Sequence, residues 1–527
     1  MSPTKPAYTT WQNNTNATWY KDAGLRKSMI SIFVLYFCVF TLGYDGSLLN
    51  GLQTLEQWQI YFDHPSGGTL GLISMVMYFP NLVVPLLASW ISEKYGRRPP
   101  VFIGSIICII GTFVVTFSNS RGMFMGGRAI LGAGISMQGV TAPALLLELA
   151  HPRLRSIAGA SYLTVYYVGS TTSAWICYGT QSMDSNWAWR IPCLIMCTGV
   201  VIVLVYVSLG LMPESPRWMI KNGQHEKALR LLAAMHANGD EQDELVVRSI
   251  AEIEASLELD RQAKHTGYSA FLKTPGNRRR LLVIFMLATG TQLNGVGLVS
   301  YYLAPILSLV GITERGQQAG LNGGLAIFNL VCSVVAAQVV DRWGRRPLWL
   351  LGNSGQLVCF ILITALSGAF ANNAIPALGI SVIPFLYLYY GFYDICWTVL
   401  PNLYIPEITP YHLRTKALSI YAIIQAVSIT FNQYVNPVAL EKIAWKYYIV
   451  YVVVILAYLI YAYFCLVETK GYTIEEVSRL FDGEDAAADV EHQATEIVGL
   501  DQLDDKAQVS HVEDSHVLSG AHTGRRD

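Results

Sequence analysis

"EKYGRRP" at residues 93–99 and "DRWGRRP" at residues 341–347 are one motif written twice. Each follows an apolar stretch and opens another, so each reads as a short charged turn between two membrane helices. A second pair repeats in the same order. "ELAHPRLR" at 148–155 returns as "EITPYHLR" at 407–414, with Glu and Arg seven residues apart both times. Two motifs recurring in register point to a duplicated fold, its halves related by a pseudo-twofold axis along the membrane normal.

The composition agrees. Of 527 residues, 52% are hydrophobic and 14% charged, where soluble proteins carry about 25% charged residues. Windows almost free of charge recur at 99–119, 191–212, 281–312, 347–370 and 447–467, each near the ~20 residues that a helix needs to cross hydrocarbon. The sequence predicts an all-α membrane protein with 12 transmembrane helices in two six-helix halves. The spans fall near 28–51, 69–91, 99–118, 122–148, 156–179, 189–212, 280–311, 317–340, 347–369, 376–406, 413–436 and 444–467.

The domain reading follows. Residues 1–27 form a cytoplasmic N-terminal segment, 28–212 the first bundle, 213–279 a cytoplasmic linker, 280–470 the second bundle and 471–527 a cytoplasmic tail. In the linker, 224–236 and 241–258 have the amphipathic spacing of surface helices. The tail holds 14 acidic and 4 basic residues, and after about Asp482 its composition is that of a disordered segment.

Orientation is read from basic residues in short loops. With the N-terminus cytoplasmic, the inner loops carry Lys94, Arg97, Arg98, Arg153, Arg155, Arg342, Arg345, Arg346, Arg414 and Lys416. The outer loops carry Arg121, Arg315, Lys442 and Lys446. Both termini are therefore expected inside, in the plasma membrane, which leaves the sequons at Asn13 and Asn16 unglycosylated. The first 27 residues show no signal-peptide core, so the first span is expected to direct insertion. The nine cysteines lie almost all in apolar windows, without metal-ligand spacing, and read as small hydrophobes. No histidine sits mid-helix, and no nucleophile–base constellation, phosphate-cradling glycine loop or metal cluster is visible. The expectation is no enzyme, no catalytic residue, no metal, no cofactor and no nucleic-acid partner.

The motifs together resemble the sugar porter branch of the major facilitator superfamily. The residues that carry the resemblance are "GYDGSLLNG" at 43–51, "EKYGRRP" at 93–99, "GGRAILGAG" at 126–134, "PESPRW" at 213–218, "DRWGRRP" at 341–347 and "PNLYIPEITPYHLR" at 401–414. "AWICYGT" at 174–180, "WAWRIP" at 187–192 and "GLVSYYL" at 297–303 are most similar to fungal lactose, cellobiose and hexose-type permeases. The resemblance covers about residues 28–481 and implies the major facilitator fold.

Three groups of site residues emerge. Asp45 lies six residues, ~9 Å, inward from Gly51, and Arg128 lies seven residues, ~10 Å, inward from Arg121. The two can meet at one depth, inside a chain where an intramembrane acid is expensive and so a functional candidate. A carboxylate that gains and loses its Arg partner binds and releases a proton; the alternative is a static buried ion pair. The resemblance implies that proton symporters of this type use this Asp and this Arg.

The second group is the set of charges in the repeated motifs: Glu93, Arg97, Arg98, Glu148 and Arg155 in one half, Asp341, Arg345, Arg346, Glu407 and Arg414 in the other, with Glu214 and Arg217 joining from the end of the sixth span. The resemblance implies a cytoplasmic latch that locks the halves when the site faces outward and parts when it faces inward.

The third group lines the expected midplane cavity: Gln292, Asn294, Tyr301, Tyr302, Asn329, Asp394, Trp397 and Asn432, whose amides, hydroxyls and rings suit a polar solute. Asp394 either hydrogen-bonds substrate or braces the helices through Tyr hydroxyls. Gln292 matches the glutamine of the family's seventh-span motif. Leu163, Met196 and Val296 stand where these permeases usually carry Asn, Gln and Asn, which leaves open a less hydroxylated cargo.

The expected function is a secondary active transporter, a monomer in the bilayer, taking up a mono- or disaccharide with a proton by alternating access. Alternatives are a facilitator or exporter of another small metabolite, or a sugar sensor that does not transport.

Overall fold

The computed structural model describes residues 13–16, 18–263, 267–470, 477 and 480–481. The expectations for residues 1–12, for most of the acidic tail and for the Asp341 side chain lie outside the described residues. All regular structure among the described residues is helical. The first half runs α1 (Ala23–Thr54), α2 (Glu56–Tyr61), α3 (Gly67–Met75), α4 (Val84–Tyr95), α5 (Arg98–Thr116), α6 (Arg121–Leu149), α7 (Pro152–Thr180), α8 (Trp187–Ile195) and α9 (Cys197–Ser208). The linker carries α10 (Pro216–Lys221), α11 (His225–His236), α12 (Glu244–Ala263) and α13 (Ala270–Lys273). The second half runs α14 (Pro275–Leu293), α15 (Val296–Tyr301), α16 (Leu303–Leu309), α17 (Arg315–Trp343), α18 (Arg345–Asn373), α19 (Pro376–Ile380) and α20 (Val382–Tyr393). It continues through a π-helical turn (Asp394–Thr398), α21 (Leu400–Ile408), α22 (Tyr411–Ile443) and α23 (Tyr447–Cys465).

Nine helical stretches among the described residues are long and apolar enough to cross a membrane, one of them running from Leu413 to Cys465. The second and fifth expected spans are not among the nine, for different reasons. The second is cut into α3 and α4 around Pro80, which has no N–H to continue the helical ladder. The fifth, α7, is unbroken but rich in Ser, Thr and Tyr. Tyr166, Tyr167 and Ser170 of this helix line the contact between the halves.

Helices α1 and α7 meet where each carries a glycine. A Cβ on Gly43 would lie 1.9 Å from the Tyr166 carbonyl oxygen, and one on Gly169 would lie 2.1 Å from that of Phe40. Only glycine permits this backbone approach, the usual route to tight helix packing in membranes.

The core shows how the halves sit. Toward the end of the bundle opposite the linker, here the far face, one hydrophobic cluster joins both halves, with Tyr44, Leu48 and Leu52 packed together with Leu298, Tyr302 and Leu303. Toward the linker face there are separate clusters, one around Leu35, Leu145 and Val203 of the first half and one around Leu287, Trp349 and Tyr404 of the second. The far face is closed.

The linker packs under the first half through α10 and α11, while α12 and α13 reach α22 and α14 of the second. Leu232, Ala233, Ala237 and Val246 form its own small core. Asn13 Nδ2 donates to the His236 carbonyl at 2.9 Å, Asn14 Nδ2 to that of Ala237 at 2.8 Å, and the Gly24 amide to Asn238 Oδ1 at 3.0 Å. Both Asn13 and Asn14 are thus engaged with the linker.

Candidate functional site

Arg128 projects from α6 at the break in the second span. Because α3 stops at Met75, the Ile73 carbonyl has no helical partner, and Arg128 Nε donates to it at 3.1 Å. One terminal nitrogen lies 3.3 Å from Met77 Sδ and the other 3.8 Å from Asp45 Oδ1. The latter is an ion pair beyond hydrogen-bond range. Both side chains are buried, and neither oxygen of Asp45 accepts a hydrogen bond among the described residues. The two residues meet at one depth, but Arg128 is held by neutral acceptors and Asp45 by Arg128 alone.

Asp394 begins the π-helical turn, a feature that often marks functional sites in membrane helices and elsewhere. Its Oδ1 accepts from the Tyr167 hydroxyl at 2.6 Å and the Thr398 hydroxyl at 3.1 Å, while Oδ2 has no partner among the described residues. Tyr167 belongs to α7, so this bond crosses between the halves. It borders a cavity of about 30 Å³ whose walls include Ser47, Asn50, Tyr167, Ser300, Asn322 and Asn329. That space is room for a water or two, not for a sugar ring.

Further bonds close the far side. Asn50 Nδ2 donates to Asn322 Oδ1 at 2.7 Å, and Asn50 Oδ1 accepts from the Leu303 amide at 3.2 Å. Gln53 Nε2 donates to the Tyr301 carbonyl at 2.8 Å, and Ser66 Oγ to Glu441 at 2.9 Å. Tyr167, Asn50, Gln53 and Asn322 were missed in the sequence, where a neutral polar residue in an apolar run carries no mark of which face it takes.

The other expected cavity residues divide. Asn329 lines the cavity with its Oδ1 unpartnered, and the half-buried Gln292 side chain makes no hydrogen bond among the described residues. Asn294 ends α14, where Gly295 takes φ 99°; its Oδ1 accepts from the Val296 amide at 3.1 Å, and its carbonyl from Tyr389 at 3.0 Å. Tyr301 packs edge-on to Tyr78 across the halves. Trp397 and Asn432 are engaged inside the second half, while Tyr302 bonds within that half and packs in the cluster that joins the two. Tyr302 donates to the Gln433 carbonyl at 2.7 Å, Trp397 to Asn353 Oδ1 at 3.2 Å, and Asn432 to the Gln292 carbonyl at 2.7 Å. Of the three unusual residues, Met196 and Val296 are buried in the core and only Leu163, 39% exposed, has a free surface.

On the linker face the two repeated motifs build the same device twice. Gly96 and Gly344 take φ 109° and 92°, ending α4 and α17. The carboxylate of Glu214 accepts from the backbone amides of Arg97 and Arg98 at 2.7 and 3.1 Å. Glu468 does the same for Arg345 and Arg346, at 3.0 Å each. Each acid caps the first turn of the next helix, where N–H groups are unpaired and the dipole favours negative charge. Arg97 pairs with Glu148 at 3.5 Å and Arg345 with Glu407 at 2.7 Å. Arg98 and Arg346 donate to the carbonyls of Val207 and Tyr463, 3.0 and 2.8 Å away.

Burial pushes the Glu214 carboxyl up despite its three backbone donors. Burial acts on Glu468 in the same sense, but donors that include the Arg345 and Lys470 amides outweigh it and hold that carboxyl below its ordinary value.

Glu93 and Arg217 point elsewhere: Glu93 reaches Lys221 at 3.6 Å, and Arg217 reaches Asp260 of α12 at 2.5 Å. Arg155 and Arg414 sit in the first turns of α7 and α22. Glu468 was missed, although "VETK" follows the last span where "PESP" follows the sixth.

This architecture is that of an integral membrane transporter of the major facilitator type. A family model described as "Sugar (and other) transporter" matches residues 31–481, and the chain belongs to that family. Among curated proteins it is 27% identical to the MFS-type transporter oryC of Aspergillus oryzae, covering 87% of this chain and 86% of that protein. It is 28% identical to the MFS glucose transporter mfs1 of Aspergillus flavus, covering 86% and 91%. Among solved structures, the inward open conformation of the xylose transporter XylE from E. coli superposes with a TM-score of 0.71 at 21% identity, over 86% of this chain and all of that one. The proton:xylose symporter XylE bound to 6-bromo-6-deoxy-D-glucose gives a TM-score of 0.68 at 21% identity, over 86% and 99%. The family and the fold are those of transporters rather than enzymes.

Proposed function

We propose that the protein takes up a mono- or disaccharide together with a proton across the plasma membrane, by alternating access, with both termini and the linker cytoplasmic. The observation that carries the reading is the Asp45–Arg128 pair: a buried acid whose one charged neighbour among the described residues stands 3.8 Å away without a hydrogen bond. An unpartnered buried carboxylate is costly as an anion, so a proton is a natural occupant, and Arg128 is the cation that replaces it. The reading is supported by a glucose transporter and a proton:xylose symporter among the similar proteins.

The cycle runs as follows. With the far face open, Asp45 takes a proton from outside and loosens from Arg128. Sugar binds between the halves at Gln292, Asn329 and Asp394. The bundles 28–212 and 280–470 rock about it, Asn50, Gln53 and Tyr167 bond across the closed far side, and proton and sugar leave toward the linker. The far-closed arrangement described above is the inward-facing end of this cycle. In it the Arg97–Glu148 and Arg345–Glu407 pairs stay formed within each half, so the part of the latch that opens is the contact between halves. The protein works as a monomer in the bilayer, with sugar and proton as its ligands.

Uptake of labelled glucose, xylose, cellobiose and lactose into a transporter-deficient cell, with and without a protonophore, tests this. Accumulation of at least one sugar, abolished by the protonophore and by Asp45→Asn, is the expected result. Accumulation indifferent to both would remove proton coupling, and entry of none of the four would favour another metabolite.

A further inference from the structure

A cleft of about 510 Å³ lies at the far face and is walled by both halves. Its first wall comes from the end of α1 and the loop before α3; its second comes from α16, the start of α17 and the end of α22. The volume is within the ~300–1,000 Å³ of small-molecule sites, and it is separate from the cavity between Asn50 and Asn329.

Two polar groups in this cleft lack partners. Gln53 is 5% exposed, and its Nε2 donates to the carbonyls of Leu49 and Tyr301 at 3.1 and 2.8 Å. Those two acceptors fix which end of the amide is the oxygen, and Oε1 has no partner. Arg315 contributes a buried terminal nitrogen that is also unpaired. Arg315 is the first residue of α17, where the helix dipole disfavours a cation, and no carboxylate among the described residues lies within ion-pair range of it. Glu441 and His64 line the same space, and Glu441 already accepts from Ser66.

The lining thus offers an amide acceptor, a carboxylate acceptor and a guanidinium donor within one cleft. An anion would meet Glu441 and a cation would meet Arg315. A hydroxyl both donates and accepts, so a neutral polyol satisfies all three.

We propose that this cleft is a second carbohydrate site, for a mono- or disaccharide on the extracellular side, distinct from the transport site. Because its walls belong to different halves, it exists only while the far face is closed. A sugar bound there favours that state and slows the return to the outward-facing one, as any ligand selective for one conformation does. Extracellular sugar then acts as a brake on its own uptake. The orientation and the brake rest on the alternating-access reading; the binding does not.

The test is calorimetric titration of the full-length protein in lipid nanodiscs with glucose and with lactose. A background with Asn329→Ala and Asp394→Asn disables the central site. Saturable binding of one of the sugars is expected to survive in that background, and to weaken about tenfold or more when Arg315→Ala or Gln53→Ala is added. Arg315 is half-exposed, so its variant is expected to fold, with monodispersity as the check. Loss of all binding in the central-site background, no binding by the unmodified protein, or equal affinity with and without Arg315→Ala and Gln53→Ala would each overturn the proposal. If the cleft binds sugar as expected but cells show no uptake, the transport reading fails and the site stands.

Discussion

Asn50→Leu isolates the closure of the far face. Asn50 is 2% exposed, donates to Asn322 at 2.7 Å and accepts from the Leu303 amide at 3.2 Å. Leucine fills similar space but breaks both bonds, leaving an amide oxygen of Asn322 and a backbone N–H buried without partners. Each orphaned group costs about 1–3 kcal/mol, so the far-closed state loses roughly 2–4 kcal/mol once part of the cost is relieved by relaxation. Both partners belong to the other half and move away when the far face opens, so the outward-facing state loses little. At 1.4 kcal/mol per decade, the equilibrium shifts toward the open far face by about 30- to 700-fold. Spin labels on exposed cysteines introduced at Glu56 and Lys442, one in each half, report it, with Cys465 replaced by serine. The expected result is a longer inter-label distance in Asn50→Leu than in the parent, with a fall in uptake rate because the return step is slowed. An unchanged distance distribution in a variant that folds and binds sugar would refute the assignment of this bond pair to the closed gate.

Three further outcomes are expected. On the proposed mechanism, Asp45→Asn should lose sugar accumulation against a gradient while keeping sugar exchange at equal concentrations, since it removes the proposed proton carrier and leaves the polar groups around Asp394; counterflow in proteoliposomes separates the two. Gly43→Ala should misassemble, because its Cβ would sit 1.9 Å from a backbone oxygen and overpacking of that kind costs about 1–3 kcal/mol or more; Gly139→Ala, with nothing near its Cβ, should not. Size-exclusion profiles after expression compare them. Acid should loosen the linker. Burial holds His151 at about 3, with His236, Arg153 and Arg155 acting in the same sense, and burial holds His236 at about 4. Both stay neutral in the fold, while the unfolded imidazoles take up protons below about pH 6.5. Stability is therefore full above that pH and falls as pH drops toward 4, by about 2 kcal/mol per histidine at pH 5. Proteolysis of the linker should accelerate at about pH 5 in the parent and change less in His151→Gln/His236→Gln.

The sequence by itself determined the fold class and the duplication. The fold class rests on apolar stretches long enough to cross hydrocarbon, and the duplication on charged turns, which are rare enough in such a chain for two copies to be recognised. It also put Asp45 and Arg128 at one depth, because helical rise converts residue count into distance. What it could not reach were contacts set by rotation about a helix axis and by the approach of two halves. Asn50, Gln53 and Tyr167 are unremarkable polar residues until α1 and α7 are turned toward α15, α17 and the Asp394 turn. The inward rotation of Trp397 into its own half was equally invisible. Glu93 and Arg217 carry the charge of the motif but turn to Lys221 and Asp260, since an exposed side chain at a turn pairs with whatever the linker brings near. Only the tertiary structure decided that the far face is closed. That depends on which surfaces the two halves bury against each other, and one chain with two such packings spells both in the same residues.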